Sequence, residues 1–170
     1  MPVSTLCALA VGCAACFTDI RSRRIPNALT FGAAGAAIVF HTVAPAGAGF
    51  VDAVEGWFVG ALIMFVPFAL RGLGGGDVKL IAALGAWLGP ANAVWLGLYT
   101  GVAGLVMALV VAAYCGYLRK AFSNVWFLLQ HWTVNGIRPL EDISLEGSSG
   151  PRLAYALPIF AGLVMATWLH

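Results

Sequence analysis

The stretch LIAALGAWLGPANAVWLGLYTGVAGLVMALVVAAYCGYL, Leu80 to Leu118, contains no charged side chain. A membrane helix needs about 20 mostly apolar residues, so this stretch is long enough for two crossings. Its only polar break with turn chemistry is Gly89-Pro90-Ala91-Asn92. Two helices back to back at that break set the reading of the rest. Upstream, Val3–Thr18, Ala28–Val43 and Val51–Leu70 are apolar, and downstream so is Leu153–Leu169. The expectation is an all-α, polytopic membrane protein with about six transmembrane helices.

Composition excludes the other classes. Of 170 residues, 61% are hydrophobic and 9% charged, against about 25% charged in a soluble domain. So few charges leave a water-soluble globule uncovered, and disorder demands the opposite balance. The glycines have no triplet period and no charged heptads occur, which removes collagen and coiled coil.

The nine basic residues fix an orientation. Arg21, Arg23 and Arg24 follow the first span. Arg71 and Lys79 lie between the third and fourth. Arg119, Lys120, Arg138 and Arg152 lie between the fifth and sixth. These are alternate loops, hence one side, while the other side holds only Asp52 and Glu55. Positive loops stay cytoplasmic, so both termini are expected outside the cytosol. The first apolar run lacks the preceding positive charge of an ordinary signal peptide. A lipobox-like role for Cys13 is the weaker alternative.

Residues 121–152 form the one sizeable loop, expected as a cytosolic segment of a single membrane-embedded domain over 1–170. Phe122–Trp132, with Phe122, Trp126, Phe127, Leu129 and Trp132, reads as a helix lying at headgroup level. Ile137–Gly150, with Glu141, Asp142 and Glu146, reads as a flexible acidic loop. Cys7, Cys13, Cys16 and Cys115 all fall in apolar spans. Cys13-Ala14-Ala15-Cys16 has CxxC spacing without a second pair or a nearby His to complete a zinc site, so these thiols read as small packing groups.

Two aspartates stand out, because charges in or beside spans are costly and mark function by default. Asp19 closes the first span and Asp77 opens the fourth, both on the basic side of the membrane. From Asp77 to Leu88 the helix rises roughly 18 Å, which is less than the hydrocarbon core of about 30 Å. Asp77 is therefore expected below the membrane boundary. Gly74-Gly75-Gly76 before it disfavours helix, and irregular backbone at that depth must line a cavity or be buried. Two close carboxylates share a proton and titrate as a unit. One takes a proton from water while the other donates to a peptide carbonyl. The structural alternative stays open: Asp19 paired with Arg23, and Asp77 capping its helix or paired with Lys79. His41, His131 and His170 make no metal spacing, and neither a nucleophile elbow nor a phosphate loop is present.

Two motifs add a resemblance. Asp19-Ile20-Arg21-Ser22-Arg23-Arg24-Ile25-Pro26-Asn27 follows an apolar helix, and Gly74-Gly75-Gly76-Asp77-Val78-Lys79-Leu80 follows in order on the same face. Together they resemble the type IV prepilin peptidases, the GxGD-type membrane aspartic proteases. Tyr155-Ala156-Leu157-Pro158 looks like the start of that family's last helix. The resemblance implies Asp19 and Asp77 as the catalytic pair and Gly74 and Gly76 as the GxGD glycines. It implies Pro26 and Asn27 as the turn into the second helix. Arg23, Arg24 and Lys79 are implied as basic residues that tune the aspartates or hold lipid phosphate, beside their role in topology. Long members carry a cytosolic insert with paired CxxC motifs and also N-methylate the processed pilin. This chain lacks that insert and looks like the short peptidases of tight-adherence (Flp-type) pili, so neither N-methylation nor zinc is expected.

The implied substrate is a prepilin or pseudopilin whose basic leader is cut at the cytosolic edge of its apolar helix. The acidic loop is a candidate attractor for that leader. The implied location is the bacterial cytoplasmic (inner) membrane, with the lipid bilayer as partner. No cofactor, metal or nucleic acid is expected. The competing functions are a proton-coupled carrier and a non-catalytic pilus-assembly membrane protein.

Overall fold

The computed structural model describes residues 1–44, 47–70, 72–116, 118–135 and 154–170. They form α1 (Val3–Ser22), α2 (Asn27–Val43), α3 (Phe50–Ala69), α4 (Gly75–Leu88), α5 (Pro90–Tyr114), α6 (Leu118–Asn135) and α7 (Ala156–Leu169), with no strand among the described residues. The fold is all-α. α1, α3 and α5 are long and apolar enough to cross a membrane. α2 and α7 are apolar but shorter, and α4 has 14 residues. Phe17, Leu62, Phe65, Leu98, Val102 and Leu105 on the three long helices point outward, each more than half exposed. An apolar surface that continuous marks a membrane face, so the chain is a membrane protein.

α4 is the axis of the bundle. Every residue from Leu80 to Trp87 is buried, as a helix that is apolar around its whole circumference requires. α3, α2, α5 and α1 pack around it, and α7 lies against α5 and α1. The contacts are close because small residues meet. A methyl group on either Gly56 or Gly85 would strike the other's carbonyl, and one on Gly60 would come within 2.6 Å of the Ile81 carbonyl oxygen. Lipid offers no hydrophobic drive between helices, so backbone proximity of this kind holds them together.

The turn chemistry expected after α4 is present in compressed form. Gly89 alone makes the turn, at φ +79°, and Pro90 is already the first residue of α5, where its missing N–H costs nothing. At the same end of the bundle, the His41 side chain joins α2 to α4. Its Nδ1 accepts the Ala48 N–H at 3.0 Å, which leaves Nε2 to donate to the Trp87 carbonyl at 3.2 Å.

α1 runs one turn past the expected Thr18. The Thr18 and Ser22 hydroxyls satisfy carbonyls within the helix, at 2.9 Å to Ala15 O and 2.7 Å to Thr18 O. Arg23 ends it at φ +52°, its N–H donating to Asp19 O at 2.8 Å. Arg23 is the one non-glycine with positive φ among the described residues, a conformation costing about 1–2 kcal/mol.

α6 covers Phe122–Trp132, which was expected to be helical, and extends beyond both its ends. It touches α5 and exposes Phe122, Trp126 and Phe127. The Leu129 and Trp132 side chains, Arg71, and Ile137–Gly150 with Glu141, Asp142 and Glu146 lie outside the described residues. So do Arg138, Arg152 and Leu153.

Candidate active site

Asp19 sits in the last turn of α1 and is 7% exposed. Its own helix gives it no help, because a helix C-terminus carries the negative end of the dipole. A buried carboxylate needs donors, and one arrives from the far end of the chain. The backbone N–H of Ala156, first residue of α7, donates to Asp19 Oδ2 at 3.1 Å. One turn earlier on α1, Cys16 Sγ donates to the Ala156 carbonyl at 3.1 Å. α1 therefore grips both polar groups of a single α7 residue. The positive end of the α7 dipole is brought onto the carboxylate, a favourable arrangement.

Asp77 is the third residue of α4 and half-buried. Its Oδ2 accepts the Gly74 N–H at 3.1 Å, and its own N–H donates to the Gly74 carbonyl at 3.1 Å. This reciprocal pair resembles a capping box, with a backbone carbonyl replacing the hydroxyl that glycine lacks. It nucleates the first turn, so Gly75 and Gly76 are helical. The expected irregular glycine backbone is thus corrected to one residue, Gly74, with an ordinary φ of −78°. The glycines serve close approach instead. A methyl on Gly76 would lie 3.4 Å from Ile25 Cβ, and one on Gly74 would lie 3.2 Å from Asp77 Oδ2.

The bundle brings the two acids to the same end, since α1 packs on α4. The supporting residues divide. Lys79 crosses from α4 to α2, where Nζ donates to Asn27 Oδ1 at 3.0 Å and lies 5.3 Å from the centre of the Phe31 ring. Pro26 holds the N-cap position of α2 in extended geometry without a side-chain cap bond. Asn27, which the resemblance places in the turn into the second helix, is the first residue of that helix, and its side-chain oxygen is taken by Lys79. Arg23 is exposed beside Asp19 in sequence and carries the positive φ. Of the CxxC pair, Cys13 is exposed and Cys16 buried, so the two thiols meet different surroundings.

Sequence reasoning did not find two participants: Cys16 as a donor and the Ala156 N–H. The available signal was Pro158. Proline favours the first turn of a helix, which places free N–H groups of α7 on the face where Asp19 ends α1.

Residues 6–109, which include both aspartates, match the type IV leader peptidase family. The chain belongs to that family. It is 27% identical over 143 residues to a prepilin leader peptidase/N-methyltransferase of Neisseria gonorrhoeae, covering 72% of this chain and 50% of that protein. Proteins of the same name in Burkholderia pseudomallei strains 1026b and K96243 are 34% identical over 107 residues, covering 59% of this chain and 34% of each. The chain thus spans half the length of the gonococcal relative or less of the others. No solved structure matches it. Ala156 lies beyond residues 6–109, yet the fold returns it to Asp19.

Proposed function

We propose that the chain is a membrane aspartic endopeptidase that removes the basic leader from prepilins or pseudopilins, using Asp19 and Asp77 as the reacting pair. The observation that carries this reading is the convergence of two carboxylates from α1 and α4 at one end of an apolar bundle. Membership of a leader peptidase family supports it, as do relatives named prepilin leader peptidase. Lone carboxylates at lipid depth are costly, whereas a pair that shares a proton has a use for that depth.

In the reaction, the ionised carboxylate removes one proton from water as the water oxygen adds to the scissile carbonyl carbon. The protonated carboxyl gives its proton to the carbonyl oxygen, forming a gem-diol. Collapse breaks the C–N bond. The proton returns from a diol hydroxyl to one carboxylate, and the proton taken from water passes to the leaving nitrogen. The dyad ends as it began, so general acid–base exchange accounts for every proton. The two carboxyls titrate as a unit.

The basic residues after α1 and around α6 give the orientation: the aspartate end faces the cytosol, both termini face outward, and all six apolar helices cross the inner membrane. A basic leader is then in the cytosol, with its cleavage bond at the depth of Asp77. The sequence has one CxxC spacing and no paired set. This favours peptidase action without N-methyl transfer and a substrate of the Flp type.

The test is cleavage of a co-expressed Flp-type prepilin, read as a size shift. Wild type should cut, and Asp19→Asn and Asp77→Asn should reach the membrane without cutting. Cutting at the wild-type rate by either variant would assign that aspartate to structure alone.

A further inference from the structure

Tyr155, the residue before α7, is brought to the Asp19 end of the bundle by its neighbour Ala156. Through the chain it adjoins Ala156, whose N–H holds Asp19 and whose carbonyl holds Cys16. Through space it lies within the field of Asp77. Its ring rests on α5 at Gly104, where a methyl group would come within 2.5 Å of the phenol oxygen and 3.0 Å of Cζ. Gly104 is buried and Tyr155 half-buried. Among the described residues the Tyr155 hydroxyl has no acceptor, although a buried phenol usually finds one. A half-buried donor is therefore seated on α5, unused among the described residues, one residue from the N–H that holds Asp19.

We propose that Tyr155 is a third catalytic group, which donates its phenol hydrogen bond to the carbonyl oxygen of the scissile peptide. Gly104 is the positioning residue that makes room for its ring. The proposal rests on the peptidase reading above. Negative charge grows on that oxygen as water adds to the carbon, and a fixed donor aimed there lowers the barrier more than one that must reorganise. The phenol keeps its proton throughout, so the stoichiometry of the aspartate reaction is unchanged. Tyr155 explains why Gly104 has no side chain, and Cys16 and Ala156 explain how the start of α7 is fixed to α1.

The experiment measures kcat and KM separately for the full chain in lipid nanodiscs, with a prepilin bearing a basic leader as substrate. Tyr155→Phe keeps the ring and removes the donor. It should lower kcat on the order of a hundredfold, as loss of one such donor does elsewhere, with KM unchanged. Gly104→Ala keeps the hydroxyl but unseats it. The atoms it meets are the tip of one side chain rather than backbone, so the helix holds while the ring moves. It should lower kcat similarly, and the double variant should fall no further than the worse single one. Gly101→Ala is the control on the same helix, since its methyl would meet nothing within 4 Å, and it should retain wild-type kcat. Wild-type kcat in Tyr155→Phe, or a loss confined to KM, overturns the assignment of Tyr155. Wild-type kcat in Gly104→Ala, or additive losses in the double variant, overturns that of Gly104. Failure of the underlying reading looks different: the wild type does not cut, or the Asp→Asn variants do.

Discussion

Asp19 and Asp77 approach the same place under opposite local conditions. Asp77 is at the start of its helix, where a negative charge is favoured, and it caps that start through Gly74. Asp19 is at the end of its helix, where a negative charge is disfavoured, and it is the more buried of the two. A local structural role explains Asp77 in full and explains nothing about Asp19. Its only donor among the described side-chain bonds comes from α7, 137 residues away. An acid held in an unfavourable position by a long-range contact points more strongly to function than an acid that doubles as a cap.

The largest expected effect tests what the two acids share. Asparagine at either position keeps shape and hydrogen-bond acceptance but cannot exchange a proton. Cleavage of a prepilin should fall on the order of a hundredfold to ten-thousandfold in both variants, measured as initial rates on purified protein. Unequal losses, with one variant near wild type, would break the symmetry of the dyad.

The next effect separates them by stability. Asp19→Ala strands the Ala156 N–H in a site where Ala156 is 1% exposed. Leaving a buried donor unsatisfied costs about 1–3 kcal/mol. Asp19→Asn retains an acceptor and should cost less, although neither variant should cleave. Asp77→Ala removes a cap, worth about 1 kcal/mol, and the Gly74 N–H it frees belongs to an exposed residue. Unfolding in detergent should therefore rank Asp19→Ala below Asp77→Ala. The reverse order would mean that α4 nucleation matters more to the bundle than docking of α7.

What the sequence disclosed follows the same division. The apolar helices, the turn at Gly89-Pro90 and the places of Asp19 and Asp77 at helix ends were legible because hydropathy and turn chemistry are local signals. The helical state of Gly75 and Gly76 was not. Glycine propensity argues against helix, and the Asp77–Gly74 bonds that override it are visible only once formed. The bond from Ala156 to Asp19 was hidden for another reason: nothing in either segment announces a partner so distant, and the donor is a backbone group that any residue would supply. Asn27 reads as a cap by type, but the ammonium group of Lys79 on a neighbouring helix claims its oxygen.

That last contact gives the smallest effect and sharpens the comparison from outside the dyad. Lys79 lies on α4 two residues after Asp77, yet its bond runs to α2 rather than to the acid. The pair is solvent-accessible and Asn27 is neutral, so the bond resembles a surface interaction worth a few tenths of a kcal/mol. The ammonium over Phe31 adds a cation–π contact of about 0.5–1 kcal/mol at an exposed site. Lys79→Met keeps the stem and removes the charge. It should destabilise the bundle by no more than about 1 kcal/mol, as read from the unfolding midpoint in detergent. Asn27→Ala in the Lys79→Met background should cost nothing further, because their shared bond is already gone. A loss as large as that of Asp19→Ala would show that the α2–α4 seam, and not the α1–α7 clamp, is what holds the aspartate end closed.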